Sequence, residues 1–188
     1  MIIYSIQPKE VLSIIESGKS FRCDARKSFY LRVRNYNKIG GWDSFFHKSY
    51  AWMAEQMKLR NIQKDNRFPV WGWYRYHSAD KNRKAPRLRQ LSYAKGNYRL
   101  KLSVPDNLVL LSNFDLWHNP INDMFCGSEK YVCKMMSIED NKTWSKERLE
   151  RLKLKSWENI FKFKDDDAIQ ACFPSIEPEY ILKTDIIK

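Results

Sequence analysis

Alternation of apolar and polar residues predicts several short strands in this chain. Every second position is apolar between residues 98 and 104, and the segment 70–76 alternates in the same way around Gly72. Such alternation is typical of a strand with one buried face. Short apolar runs predict further strands at residues 2–6, 20–23, 108–111, 168–173 and 180–186.

Helical spacing of apolar residues between positions 42 and 57 predicts an amphipathic helix. A shorter helix is predicted after Pro8, which suits the first position of a helix, and Gly18 stands where that helix would end. Residues 145–154 and 157–161 predict two more helical segments. Residues 113–120 and 78–95 are rich in polar side chains and predict loops, the second with a helical turn near residues 88–91.

These elements predict one α+β domain over residues 1–188, with a split, mostly antiparallel sheet and flanking helices. The chain has 188 residues and shows no repeat, no low-complexity segment and no composition change that would mark a domain boundary. A chain of this length can bury a proper core without a metal or a disulfide. We expect a monomer that requires no cofactor.

Charge favours a polyanionic partner. The net charge is +12, and the segment 75–101 holds nine basic residues against one acid, Asp80. A basic segment on an exposed loop can contact the phosphates of nucleic acid, while an acidic protein partner or a lysine-rich composition explains the same charge. The residues predicted to meet nucleic acid are Lys81, Arg83, Lys84, Arg87 and Arg89.

Location and metal binding can also be addressed from the sequence. No apolar run approaches the roughly 20 residues that a membrane-spanning helix needs, so we expect no membrane association. The N-terminus has neither a basic leader nor a cleavage site, which predicts a cytoplasmic protein. The four cysteines lack the spacing of zinc ligands, and no metal is expected.

The aromatic strand near residue 72 is the strongest candidate for chemistry. Alternation places Trp71, Trp73 and Arg75 on one face of the strand. Two indoles beside a guanidinium can stack a base and contact a phosphate. The same residue types also build ordinary aromatic cores, and the sequence leaves both interpretations open.

A second candidate pair lies in the predicted loop 113–120. Asp115 and His118 are three positions apart beside Trp117. A carboxylate that orients an imidazole can perform general acid–base catalysis. The competing interpretation is structural, with Asp115 fixing the loop through backbone N–H groups and His118 packed or exposed.

Several motifs together resemble a bacterial family known as domain of unknown function 3841. They are IQP at 6–8, PVWGWY at 69–74, LSNFDLWH at 111–118, WExIF at 157–161 and IQA at 169–171. The motifs occur in the family's order and extend over nearly the whole chain. This resemblance implies membership of a family without implying an activity.

The two ends of the chain also resemble ADP-ribosyltransferases and RNA 2′-phosphotransferases. YSIQPKEVLSIIESG at 4–18 is similar to their opening, and IQACF at 169–173, followed by PEYI at 178–181, is similar to their last motif. In that resemblance Ser5 stands at the position of a histidine or arginine, and Gln170 at the position of a catalytic glutamate. A glutamine can hydrogen-bond a ribose but brings no negative charge for a cationic transition state.

The resemblance implies an ADP-ribosyltransferase-like cleft that binds NAD or another nucleotide, with weak or no transferase activity. The residues expected to line it are Tyr4, Gln7, Trp71, Trp73 and Arg75, with Gln170, His118 and Asp115 as catalytic candidates. A nucleic-acid-binding module and a protein-interaction factor are the alternative functions.

Overall fold

The computed structural model describes residues 1–24, 42–76 and 85–188, and of residues 42–45 it describes only the backbone. Lys81, Arg83 and Lys84, which we predict to contact nucleic acid, lie outside the described residues. The described strands form one six-stranded antiparallel sheet in the order β4-β5-β2-β1-β3-β6. The strands are β1 (Ile2–Gln7), β2 (Val70–Arg75), β3 (Tyr98–Ser103), β4 (Leu110–Asn113), β5 (Ile169–Phe173) and β6 (Ile181–Ile186).

Local signals in the sequence set the ends of most helices. The described helices are α1 (Lys9–Glu16), α2 (Trp42–Leu59), α3 (Phe114–Ile121), α4 (Glu129–Asp140) and α5 (Lys146–Ser156). Short 3-10 segments occupy Leu88–Ala94, Asp106–Leu108, Trp157–Phe161 and Pro178–Tyr180. Ser128 and Ser145 cap α4 and α5 through their hydroxyl groups. Gly18 ends α1 with φ +78°, a conformation that glycine adopts without strain.

Both faces of the sheet bury apolar residues, but against different elements. The first face packs against α1, and its core includes Ile3, Leu100 and Phe173. The second face packs against α2, α3 and the 3-10 segment Trp157–Phe161. Sheet residues in this second core come from β4, β5 and β2 alone among the described strands: Leu110, Cys172 and Trp71.

The second face is therefore covered at one end and open at the other. Over β1, β3 and β6 it carries exposed Ile2, Ser103 and Lys183. The 3-10 segment Leu88–Ala94 packs at Ile6 and Ile187, near one end of β1. The elements that cover the second face therefore end between β2, which is covered, and β1, which is not. We call this edge of the covering layer the step.

Three expectations about the fold need correction. The sheet of the described residues is continuous rather than split, because β2 and β5 pair directly and join the two halves. Residues 114–121 form helix α3 rather than a loop, since the Asn113 carboxamide oxygen accepts a hydrogen bond from the Leu116 N–H (2.8 Å) and caps the first turn. The strand expected at 108–111 lies at Leu110–Asn113, after a 3-10 turn.

No helix in the described part of the chain is both long and apolar enough to cross a bilayer. The prediction of an α+β fold with antiparallel strands is confirmed. Its proposed likeness to the ADP-ribosyltransferase fold stays a prediction.

Candidate functional site

One line of directly paired residues crosses the whole sheet, and we call it the transverse row. Antiparallel pairing aligns each member with the next on the neighbouring strand. Residues directly opposite each other in such pairs point to the same side of the sheet. The row lies on the second face and consists, from β4 to β6, of Ser112, Gln170, Trp73, Tyr4, Lys101 and Lys183.

The chemistry of the transverse row changes from one end to the other. Ser112 and Gln170 are buried, with 0% and 6% of their surface exposed. Trp73 and Tyr4 are half-buried, and Lys183 is exposed. The row therefore runs from buried polar groups, past two aromatic rings, to basic groups in solvent.

Unpaired polar atoms concentrate on this face. Four buried side-chain polar atoms of the described residues lack a hydrogen-bond partner, and all four point to the second face: Trp71 Nε1, Arg99 Nε, Ser112 Oγ and Gln170 Nε2. Folded proteins pair nearly all buried polar groups, because an unpaired one costs about 1–3 kcal/mol. Such a group in a native protein calls for a specific partner, either an ordered water or a ligand.

Aromatic side chains pack together beside the buried end of the transverse row, and we call the rings around Trp71 and Trp73 the aromatic wall. Trp73 packs edge-on against Phe114 of α3, with ring centroids 4.7 Å apart, and against Tyr76 at 4.8 Å. Trp71 contacts Tyr50 at 5.4 Å and Trp117 at 4.9 Å. Trp71 therefore belongs largely to the core, whereas half-buried Trp73 borders the step in the sheet.

Arg75 has its guanidinium engaged by the protein itself. Its Nε donates to the carbonyl oxygen of Asp167 and its Nη2 to that of Lys164, both at 2.7 Å. These carbonyls belong to the turn that leads into β5. Arg75 thus holds the strand that carries Gln170, and its planar fork is occupied in this role.

Gln7 lies on the opposite face from Tyr4, Trp71 and Trp73. It is three positions from Tyr4 along β1, and successive strand residues point to opposite sides. Its Nε2 donates to the Ser5 hydroxyl (2.8 Å), which in turn donates to the Trp71 carbonyl oxygen (2.7 Å). Gln7 therefore supports the junction of β1 with β2.

Ser5 and Gln170 also lie on opposite faces. The resemblance to ADP-ribosyltransferases matches Ser5 with a histidine or arginine and Gln170 with a catalytic glutamate. Gln170 shares a face with Tyr4 through Trp73, whereas Ser5 follows Tyr4 directly and is fully buried on the other face. The two positions consequently cannot line one cleft on this sheet.

Asp115 and His118 are both exposed on α3, and their side chains are not joined. The His118 Nδ1 lies 3.1 Å from the carbonyl oxygen of Phe114 and 3.3 Å from that of Asp115. The imidazole packs edge-on against the Phe114 ring at 4.8 Å. His118 therefore borders the aromatic wall, with its Nδ1 directed to the backbone instead of to the Asp115 carboxylate.

Basic groups surround the open end of the row. The Arg99 guanidinium lies 5.9 Å from the centre of the Tyr4 ring. Its Nη2 pairs with the Asp185 carboxylate at 2.6 Å, and Lys183 pairs with the same carboxylate at 2.8 Å. Hydrogen bonds from Lys183 and from Arg99 lower the pKa of Asp185. Among the described residues at this end, the three cations Arg99, Lys183 and Lys101 therefore accompany a single anion, Asp185.

The predicted nucleic-acid segment is only partly described. Arg87 precedes the 3-10 segment Leu88–Ala94 and Arg89 lies within it, and both side chains are exposed. Within the described ranges, no group of three histidine, cysteine, aspartate or glutamate residues is arranged to hold a metal ion.

Sequence reasoning missed Ser112, Phe114, Lys101 and Lys183 as site residues. Ser112 interrupts an apolar strand with a hydroxyl group, which is the one local signal that was available. The lysines look like any solvent-facing strand residues. Their position beside Tyr4 depends on pairing between strands that are about a hundred residues apart in the chain.

A family model matches residues 2–182, and the chain belongs to the family described as domain of unknown function (DUF3841). This confirms the resemblance noted from its motifs. No curated protein and no solved structure matches the chain significantly. The resemblance to ADP-ribosyltransferases has no support from these comparisons.

Proposed function

We propose that the protein binds a nucleotide-like ligand on the second face of its sheet, with the base at the Gln170 end of the transverse row. The observation that supports this most is the set of unpaired buried polar atoms on that face. Three of them, on Trp71, Ser112 and Gln170, belong to the covered strands, and the fourth, on Arg99, belongs to β3 on the open side of half-buried Trp73. Aromatic side chains with a few polar groups among them are the usual lining of a small-molecule site.

The side chains present suit a nucleobase. The Gln170 carboxamide can donate and accept hydrogen bonds along a base edge, and the Ser112 hydroxyl can do the same. Trp73 and Phe114 offer rings for stacking, which contributes about 1–3 kcal/mol per base. Gln170 carries no charge to stabilise a cationic sugar, so we propose binding with weak or no group transfer.

Access to Gln170 Nε2 requires a small rearrangement. The atom itself is covered, while 6% of the residue's surface reaches solvent. The terminal torsion of a glutamine side chain is soft, so rotation of the amide can bring the donor towards the half-buried Trp73 ring. Binding by this route resembles induced fit at one side chain.

Thermal shift provides the first test. Titration with NAD, ADP-ribose or nucleoside 5′-phosphates is expected to stabilise the protein, by about 2.7 kcal/mol at a ligand concentration 100 times the dissociation constant. Gln170→Ala and Trp73→Ala should melt cooperatively and lose this shift. Trp144→Ala is a matched control, because Trp144 is half-buried and stacks on Arg148 away from the sheet. No shift with any nucleotide at millimolar concentration would remove this proposal.

A second candidate function is binding of single-stranded nucleic acid. The open half of the second face favours it, since Tyr4 lies beside Lys101 there and Arg87 and Arg89 are exposed nearby in the chain. Aromatic rings beside cations on an open sheet are typical of single-strand binding. A protein-interaction role with an acidic partner would use the same charge.

Salt dependence tests the nucleic-acid candidate. Five phosphate contacts would give a log–log slope of affinity against salt of about −3.5 to −4.5. Neutralising Lys81, Arg83 and Lys84 together is expected to flatten this slope by about 2–3, and it should leave folding unchanged. Neutralising Lys130, Lys134 and Lys146, which are exposed on α4 and α5, is the matched control. Binding that does not respond to salt would rule this function out.

A further inference from the structure

We infer that the basic end of the transverse row binds the 5′-phosphates of the ligand, which makes the preferred ligand a nucleotide with a pyrophosphate group. The inference rests on the nucleotide site proposed above. It assigns Lys101 and Lys183 a role in selecting phosphorylated ligands over free nucleosides.

Spacing across the sheet supports this orientation. Trp73, Tyr4 and Lys101 are successive members of the row on three neighbouring strands. Neighbouring strands lie about 4.8 Å apart, so Lys101 is roughly 10 Å from Trp73. A base stacked on Trp73 would place its ribose over Tyr4 and its phosphate chain at Lys101.

Charge at this end is available for an anion. Asp185 already accepts hydrogen bonds from Arg99 and Lys183. Lys101, by contrast, forms no ion pair with any described residue. Among the described residues at this end, cations outnumber anions, and Lys101 is the cation that has no acidic partner.

An unpaired hydrogen-bond donor next to the transverse row also supports phosphate binding at this end. The Arg99 Nε–H is buried and has no hydrogen-bond partner in the described part of the chain, although the guanidinium binds Asp185 and the Pro86 carbonyl through its other nitrogens. Arg99 is adjacent to the row and close to the Tyr4 ring. Arg75 is not an alternative phosphate ligand, since its fork holds the turn before β5.

Calorimetric titration of the full chain tests the inference. The probes are the four common ribonucleosides, each compared with its own 5′-monophosphate and 5′-diphosphate. At least one diphosphate is expected to bind tenfold or more tightly than its nucleoside, because charge-assisted contacts contribute about that factor or more. The diphosphate's advantage should shrink as salt is raised, while nucleoside affinity stays constant.

Charge-removing variants then locate the phosphates. Lys101→Met keeps the aliphatic stem and is expected to weaken diphosphate binding about tenfold without changing nucleoside binding. Lys183→Met should act in the same direction with a smaller effect, since Lys183 is 62% exposed. Lys130→Met on α4 is the control for loss of a lysine elsewhere.

The outcomes separate the inference from the function on which it rests. Equal affinity for a nucleoside and its diphosphate overturns the phosphate assignment and leaves the base site standing. A diphosphate preference that survives both Lys101→Met and Lys183→Met also overturns it. Absence of binding by every nucleoside and nucleotide overturns the proposed function, and the inference with it.

Discussion

Replacing Gln170 by methionine is expected to stabilise the unliganded protein and to abolish nucleotide binding. Gln170 is 6% exposed, and its Nε2 has no hydrogen-bond partner among residues 1–24, 42–76 and 85–188. Methionine has a similar length and no polar atom to desolvate. Removing an unpaired buried donor should raise the free energy of unfolding by about 1–2 kcal/mol. A residue that lowers stability while it supports binding is the expected signature of a functional site.

A second buried glutamine provides the matched control. Gln63 is 8% exposed, and its Nε2 donates to the carbonyl oxygens of Asp65 and Arg67, both at 3.0 Å. Gln63→Met leaves those oxygens unpaired and should lower the free energy of unfolding by about 1–3 kcal/mol. Denaturant-induced unfolding measures both changes.

Opposite signs for the two methionine variants would support the ligand site. Equal destabilisation would show that the Gln170 amide is already satisfied, for example by a buried water. That result would remove the main support for the proposed function.

Gly72→Ala is expected to destabilise the protein by about 1–3 kcal/mol, because it overpacks the junction of β1 and β2. A Cβ atom at Gly72 would lie 2.5 Å from the Ile3 Cγ2 and 3.1 Å from the Tyr4 carbonyl oxygen. Ile3 is fully buried and the carbonyl belongs to the backbone, so neither can move away easily. The strands must shift, and Tyr4 and Trp73 shift with them.

Gly127→Ala serves as the control for this glycine. Its Cβ would approach the Tyr131 Cδ1 at 2.9 Å, but Tyr131 is half-buried and its ring can turn. We expect a loss below about 1 kcal/mol for this variant. Thermal unfolding and nucleotide titration of both variants measure the difference. A Gly72→Ala protein as stable as the Gly127→Ala protein would show that β1 and β2 do not approach as closely as described.

Periodicity in the sequence was sufficient to predict most elements. Alternation located β2 and β3, and helical spacing located α2, because each pattern reflects a local preference to bury one face. The αL conformation of Gly18 likewise follows from a local rule for helix ends. Family membership was readable as well, since it rests on short motifs in a set order.

Local patterns were less reliable where two signals competed. The polar residues of LSNFDLWH predict a loop, yet Asn113 acts as a helix cap and the following apolar residues pack into the second core. Burial of Trp117 against the sheet favours the helix over the loop, and local propensities carry no information about that burial.

Strand pairing decided the composition of the candidate site. The sequence by itself determined that Trp71 and Trp73 share a face and that Gln170 lies on a late strand. Its expectation that Arg75 shares this face was wrong, because a β-bulge after Trp73 pairs Arg75 with Ile169, which points away from the face of Gln170. Only the tertiary structure placed Ser112, Tyr4 and Lys101 on that same face and Gln7 on the other. The physical reason is that register is set by contacts between distant segments, and a shift of one residue exchanges the two faces of a strand.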